Sequence, residues 1–151
     1  EHQNILITGP TGCGKSYLAC ALAHTACREG FTALYYRCSR LFYDLSIAEA
    51  DGSYAKLLKT LSRAQILIID DWGLEPLAAG HRRHLLEVIE DRYQAKATII
   101  AAQLPQDHWH KLIGDETLAD AILDRLVHNA QKITLKGGSM RKKQALVHRQ
   151  K

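Results

Sequence analysis

The stretch Gly9-Pro10-Thr11-Gly12-Cys13-Gly14-Lys15-Ser16 places three glycines, a cation and a hydroxyl within eight residues. The apolar run Ile5-Leu6-Ile7 precedes it, and a helix-forming stretch opening on Lys15-Ser16-Tyr17 follows. Glycine accepts positive φ without steric cost, so successive backbone N–H groups can turn inward and line an anion nest. A helix starting near Gly14 adds its positive amino end. Lys15 has the reach for β- and γ-phosphates, and the Ser16 hydroxyl can ligate Mg²⁺. The pattern G-x-x-x-x-G-K-[ST] is met by Gly9, Gly14, Lys15 and Ser16, in the strand–loop–helix setting it requires. A chance glycine-rich turn is the bland alternative, and the agreement of residues with setting argues against it. The expected ATP-binding span is Gly9, Pro10, Thr11, Gly12, Cys13, Gly14, Lys15, Ser16 and Tyr17. The dinucleotide fingerprint G-x-G-x-x-G is absent.

A nucleotide held this way needs Mg²⁺ and, for hydrolysis, a positioned water. Ile66-Leu67-Ile68-Ile69 ends in Asp70 and Asp71, a Walker B arrangement. Asp70 is expected to hold Mg²⁺ through its water ligands. Asp71 stands where many such ATPases carry a glutamate that polarises the attacking water. Aspartate is one methylene shorter, so a base role needs a closer backbone or a relaying water. The other reading is that Asp71 only tunes the field at the metal. Gln103 ends the next apolar run, in the sensor-1 position, where it could bond the γ-phosphate or the lytic water. Arg125 precedes the last strand and Arg141 follows it in a Gly-Gly-Ser-Met-Arg turn. Charge building on a transferring γ-phosphate is commonly met by an arginine, often from a neighbouring subunit. Taken alone, either arginine reads equally as a surface residue.

The elements that must position these residues alternate. Apolar strands are expected at 4–8, 32–38, 65–71, 97–103 and 132–135. Helices are expected at 15–29, stopped by Gly30, then from Ser39 as a cap through Leu41, Phe42, Leu45 and Ile47, and at 54–63, 80–94 and 116–128, with a short turn around Trp109 capped by Asp107. Continuous apolar strands separated by helices argue for a parallel sheet covered on both faces. Ligands in such sheets bind beyond the carboxyl ends of the strands, and each candidate site residue is expected there.

The chain has 151 residues, 46% hydrophobic and 24% charged, enough for one domain with a core. A formal charge of +4 permits contact with nucleic acid without establishing it. No apolar run approaches the roughly 18 residues of a membrane span, and no leading signal is visible, so a cytoplasmic place without a membrane partner is expected. Cys13, Cys20, Cys27 and Cys38 include no C-x-x-C pair. They read as small buried hydrophobes in a reducing compartment. His81 and His84 read as an exposed helix face.

At this point the sequence resembles the AAA+ ATPases of the IstB type, helpers of insertion-sequence transposases and relatives of the helicase loader DnaC. GPTGCGKS, ILIIDDWG, QLPQDHW, AILDRLVH and GGSMRKK carry the resemblance, spread over nearly the whole chain. The second and fourth are the most specific pair. The resemblance implies an α/β three-layer P-loop NTPase fold, an AAA+ core with a five-stranded parallel sheet. It implies slow Mg²⁺-dependent ATP hydrolysis coupled to homo-oligomerisation on DNA. It puts Arg125 at the arginine-finger position and Arg141 where a sensor-2-like arginine stands. It matches the helices of 40–63 to an insertion that initiators and loaders use near DNA.

Three departures matter. Family members carry an N-terminal partner-binding region, so residues 1–151 read as an ATPase domain excised from a longer protein. Sensor 1 is more often Asn than Gln. About 16 residues follow the last strand, too few for a full helical lid domain; residues 136–151 form a basic tail. Basic residues gather at Arg82 and Arg83, at Arg141, Lys142 and Lys143, and at Arg40, Lys56, Lys59 and Arg63. They would suffice for sequence-independent contact with duplex DNA. The leading reading is an ATP-driven oligomeric switch acting on a transposase, with a helicase loader as the alternative. A P-loop small-molecule kinase and a module using ATP as structural glue are the competing classes.

Overall fold

The structure is a computed structural model that describes residues 3–128 and 130–136. Five parallel strands, β1 (Ile5–Thr8), β2 (Ala33–Arg37), β3 (Ile66–Trp72), β4 (Ala97–Ala102) and β5 (Gln131–Thr134), form one sheet in the order β2-β3-β4-β1-β5. The helices are α1 (Lys15–Arg28), α2 (Cys38–Asp51), α3 (Tyr54–Arg63), α4 (Ala79–Arg92), α5 (Trp109–Ile113) and α6 (Glu116–Val127), with one 3₁₀ turn at Gln106–His108. This is the α/β three-layer sheet expected of an AAA+ core.

The two faces of the sheet are covered unequally. Alternation along β1, β3 and β4 turns Ile7, Ile68 and Ile99 toward Ala19 and Ala23 of α1. Leu6, Leu67, Ile69 and Ile100 face the larger cluster built with α2 through α6. The central strands carry branched apolar residues on both faces because both are buried. The small alanines let α1 pack close to the sheet, which sets where its first turn lies.

Several contacts brace the amino edge of the sheet. Asn4 accepts from Thr98 N–H at 3.0 Å and donates to the carbonyls of Arg125 and Leu126 at 3.3 and 3.1 Å. Arg92, 2% exposed, donates to the carbonyls of Leu61, Ala64 and Ala97 and to Thr98 Oγ1. It ties α3, α4 and β4 together, and burial pushes its guanidinium down to about 10.

Some local expectations fail. Helix α2 begins at Cys38, so Ser39 lies inside it, and Arg37 precedes it without a side-chain cap. The apolar face already present in Leu41, Phe42 and Leu45 outweighs that weak cap signal. Asp107 likewise makes no cap bond; Pro105 precedes its turn. Ile47 is 43% exposed, so it stands off the apolar face. Cys20 and Cys27 are exposed, and only Cys38 is buried. Those two lie beside the Ala19 and Ala23 face of α1 rather than within it, at the rim where the helix meets solvent. His84 is buried rather than exposed, bonded to Glu49 Oε2 at 2.6 Å between α2 and α4. His81 is half-buried and stacks on Phe42 at 4.6 Å.

Candidate functional site

The loop after β1 is built for close backbone approach. A Cβ on Gly9 would stand 2.7 Å from the Leu135 carbonyl oxygen and 2.8 Å from Cys13 Sγ, so only glycine fits. Gly12 and Gly14 hold φ of 80° and 98°, the left-handed backbone that an anion nest uses, and the Cys13 N–H between them donates to the Pro10 carbonyl at 3.3 Å. No side chain caps α1 and no acid stands in its first turn, which leaves its amino end open to an anion. The Lys15 ammonium folds over the loop, donating to the carbonyls of Gly9 at 2.8 Å and Pro10 at 2.9 Å.

The acids arrive from β3. Asp70 follows the parity of Ile68, which puts its carboxylate on the α1 face. There Ser16 Oγ donates to Asp70 Oδ2 at 2.6 Å. The glycine-rich loop and the paired acids therefore share one edge of the sheet, at the carboxyl ends of β1 and β3, with β4 between them. Asp70 is 2% exposed, and its remaining oxygen accepts from Asp71 N–H at 2.8 Å.

Asp71 breaks the alternation. Its φ is 54°, and the register between β3 and β4 shifts between Ile69 and Trp72. Aspartate visits this left-handed region more easily than most residues. The turn swings its side chain into solvent, where Oδ2 lies 3.8 Å from Arg37 Nε in a loose ion pair.

Gln103 follows β4 directly and is exposed. The Ala102 carbonyl beside it accepts from Gly9 N–H at 3.2 Å, so Gln103 sits between the loop and β3. The indole of Trp109, buried against Trp72, donates to the Leu104 carbonyl at 3.0 Å and steadies this turn.

Arg125 is elsewhere. It lies at the end of α6, bound through its carbonyl to Asn4, at the amino edge of the sheet. Its guanidinium meets Glu90 Oε1 at 3.2 Å, the Ala121 carbonyl at 2.8 Å and the face of Tyr93. The whole of β1 separates it from the loop, roughly 15 Å at the rise of a strand. The expectation that every candidate lies at a carboxyl end is thus corrected: α6 runs antiparallel to β1 and ends where β1 begins. Arg141 and the basic stretch from residue 137 lie outside the described residues.

Two neighbours of the acids were missed in the sequence. Tyr35 on β2 donates from its hydroxyl to Asp70 Oδ2 at 2.6 Å, and burial with the adjoining carboxylate pushes the phenol up to about 12. Arg37, level with Asp70 across β2 and β3, approaches Asp71. The only sequence signal is parity along Leu34-Tyr35-Tyr36-Arg37, which is useless until the register to β3 is known. Among the basic residues, Arg40 pairs with Asp44 at 3.0 Å and Arg82 donates to the Ile113 carbonyl. Arg83, Lys56, Lys59 and Arg63 are exposed.

A family model described as IstB-like ATP binding protein matches residues 1–147. The chain belongs to that family. An insertion sequence ATP-binding protein of Sinorhizobium fredii is 57% identical over 95% of this chain and 58% of its own length. This IstB-like chain thus spans about three fifths of the length of that curated relative. Among solved structures, a DnaC helicase loader aligns with TM-score 0.69 at 22% identity, covering 89% of this chain and 78% of that one. A replication initiator DnaA bound to AMPPCP and single-stranded DNA aligns with TM-score 0.75 at 17% identity, covering 90% and 41%. At such identities the likeness is one of fold: the IstB-like domain has the AAA+ P-loop architecture of DnaA and DnaC. Among the described residues, no helix is long and apolar enough to cross a membrane.

The residues present fit a nucleoside triphosphate with a divalent cation. The Gly9 cradle excludes a Cβ, Lys15 supplies a cation over the nest, and Ser16 with Asp70 supplies oxygen donors of the kind Mg²⁺ prefers.

Proposed function

We propose that this IstB-like domain binds ATP with Mg²⁺, hydrolyses it slowly in an assembly of several copies on duplex DNA, and so regulates a transposase in the cytoplasm. The single observation that carries the reading is the 2.6 Å bond from Ser16 to Asp70, which joins phosphate loop and acids into one site.

The residues divide the work as follows. The loop and helix start of 9–17 hold the phosphates, with the backbone N–H groups that follow Pro10 as donors, and Lys15 moves from its two carbonyls onto the β- and γ-phosphates. Ser16 and, through water, Asp70 hold the cation, which when bound supplies charge neutralisation on the transferring phosphoryl group. Asp71 accepts the proton of the attacking water, with a second water relaying it because the side chain is short. Gln103 orients that water from the next strand.

Arg125 works in trans. Its place at the amino edge, away from its own loop, supports a role toward the loop of a neighbouring copy. Arg141 is assigned a sensor role by family resemblance alone. The family's link to insertion sequences favours a transposase over a helicase as the partner, because the likeness to DnaC is one of fold. Exposed Lys56, Lys59, Arg63 and Arg83 are the candidates for phosphate contact with DNA, and a modest charge per copy makes useful affinity depend on assembly.

Light-scattering mass with AMPPCP, Mg²⁺ and duplex DNA tests the proposal. Growth from monomer to a large assembly only when all three are present supports it. A persistent monomer that still turns over ATP overturns the assembly reading.

A further inference from the structure

We infer that Tyr35 is a positioning residue for the cation site: its hydroxyl holds the Asp70 carboxylate in the orientation the ion needs. The inference rests on the ATP and Mg²⁺ reading above. Asp70 Oδ2 accepts two hydrogen bonds of 2.6 Å, from Ser16 and from Tyr35, and Oδ1 accepts one from Asp71 N–H. An ionised carboxylate offers about four acceptor sites, so one remains for a water of the ion. Its rotamer is thereby fixed from three directions.

These donors are not equivalent. Ser16 belongs to the phosphate loop and is itself a candidate ligand. The Asp71 amide is the next residue of the same chain and cannot choose the side chain's rotation alone. Among the described residues, Tyr35 is the donor that reaches Asp70 from another strand. Tyr35 pairs with Ile68 in the register that sets Arg37 against Asp70, so the phenol comes from two residues back along β2 to meet the carboxylate. A short, charge-assisted bond of this kind keeps the carboxylate oriented whether or not Ser16 is engaged by a ligand. Outer partners that orient a metal-binding side chain commonly change metal affinity when removed, without touching the metal.

The distinguishing readout is the dependence of nucleotide affinity on Mg²⁺. AMPPCP binding is measured by calorimetry with Mg²⁺ and with EDTA, for the wild-type chain, Tyr35→Phe and Tyr36→Phe. Mn²⁺ affinity in the presence of AMPPCP is read in parallel by electron paramagnetic resonance. Phenylalanine keeps the ring, and Tyr36 lies on the opposite face of β2, so it serves as the control. Tyr35→Phe should weaken Mn²⁺ binding roughly tenfold and reduce the Mg²⁺-dependent tightening of AMPPCP by a similar factor. Its affinity in EDTA should stay within about twofold, the scale expected when no direct nucleotide contact is lost. Tyr36→Phe should change none of these.

Full Mg²⁺-dependent tightening and normal Mn²⁺ affinity in Tyr35→Phe overturn the inference. Equal weakening with and without Mg²⁺ also overturns it, since that is general loosening of β2. If the wild-type chain itself gains nothing from Mg²⁺, the reading of the site fails and this inference with it.

Discussion

The side-chain amide of Asn4 donates to the backbone carbonyl of Arg125, which pins the last turn of α6 to the start of β1. The phosphate loop leaves β1 at its other end. An arginine and a phosphate loop that close in sequence logic are thus held at opposite edges of one sheet. Arg125→Ala should leave AMPPCP affinity within about twofold, because no phosphate contact is removed within the chain. It should abolish the rise of specific ATPase activity with protein concentration. If activity per subunit is flat with concentration in wild type and variant alike, the trans role is wrong.

Lys15 Nζ makes two bonds to its own loop, and these must be exchanged for phosphate contacts. Lys15→Ala removes a charge-assisted partner of the β- and γ-phosphates, so ATP affinity should fall by about a hundredfold or more. Fluorescent-nucleotide titration checks this, and retained micromolar binding would refute the phosphate-loop assignment.

Asp71 is solvent-facing and pairs loosely with Arg37, so its removal should cost little stability. Asp71→Asn should keep nucleotide affinity while turnover falls by about a hundredfold, the scale of a lost general base. Unchanged steady-state hydrolysis would remove Asp71 from the chemistry.

Arg92 satisfies three carbonyls and a hydroxyl while nearly fully buried. Arg92→Met keeps the stem but orphans those acceptors, and should cost about 3–5 kcal/mol in urea unfolding. Arg92→Lys should recover only part of that, since a single ammonium cannot span the same fork. A loss under about 1 kcal/mol for either variant would contradict the staple role.

A methyl at Gly9 has nowhere to go, with the Leu135 carbonyl oxygen at 2.7 Å and Cys13 Sγ at 2.8 Å. Gly9→Ala should lower stability by about 1–3 kcal/mol and weaken nucleotide binding as the loop and the end of β5 part. Wild-type melting temperature and affinity in this variant would show that the cradle yields.

Much of this was legible in the chain itself. The strand–loop–helix pattern around Gly9 to Ser16 and the apolar run into Asp70 are local signals. Periodicity and turn chemistry fix them within a dozen residues. Five strands and their alternation with helices follow from the same kind of information. Local signals failed where two segments compete or meet. A capping serine at residue 39 lost to the apolar face of α2, and His84 reads as surface until Glu49 and Tyr54 pack over it.

By itself, then, the sequence determined the phosphate-loop and paired-acid motifs and which family the chain joins, because motif and spacing are properties of short stretches. Tertiary structure alone decided the strand order and the register that sets Arg37 level with Asp70. Those bring Tyr35 onto the same carboxylate as Ser16 and keep Arg125 away from the loop. The physical reason is that pairing between strands distant in sequence is set by which faces the helices bury, and a shift of one residue would turn Tyr36 to the acid in place of Tyr35.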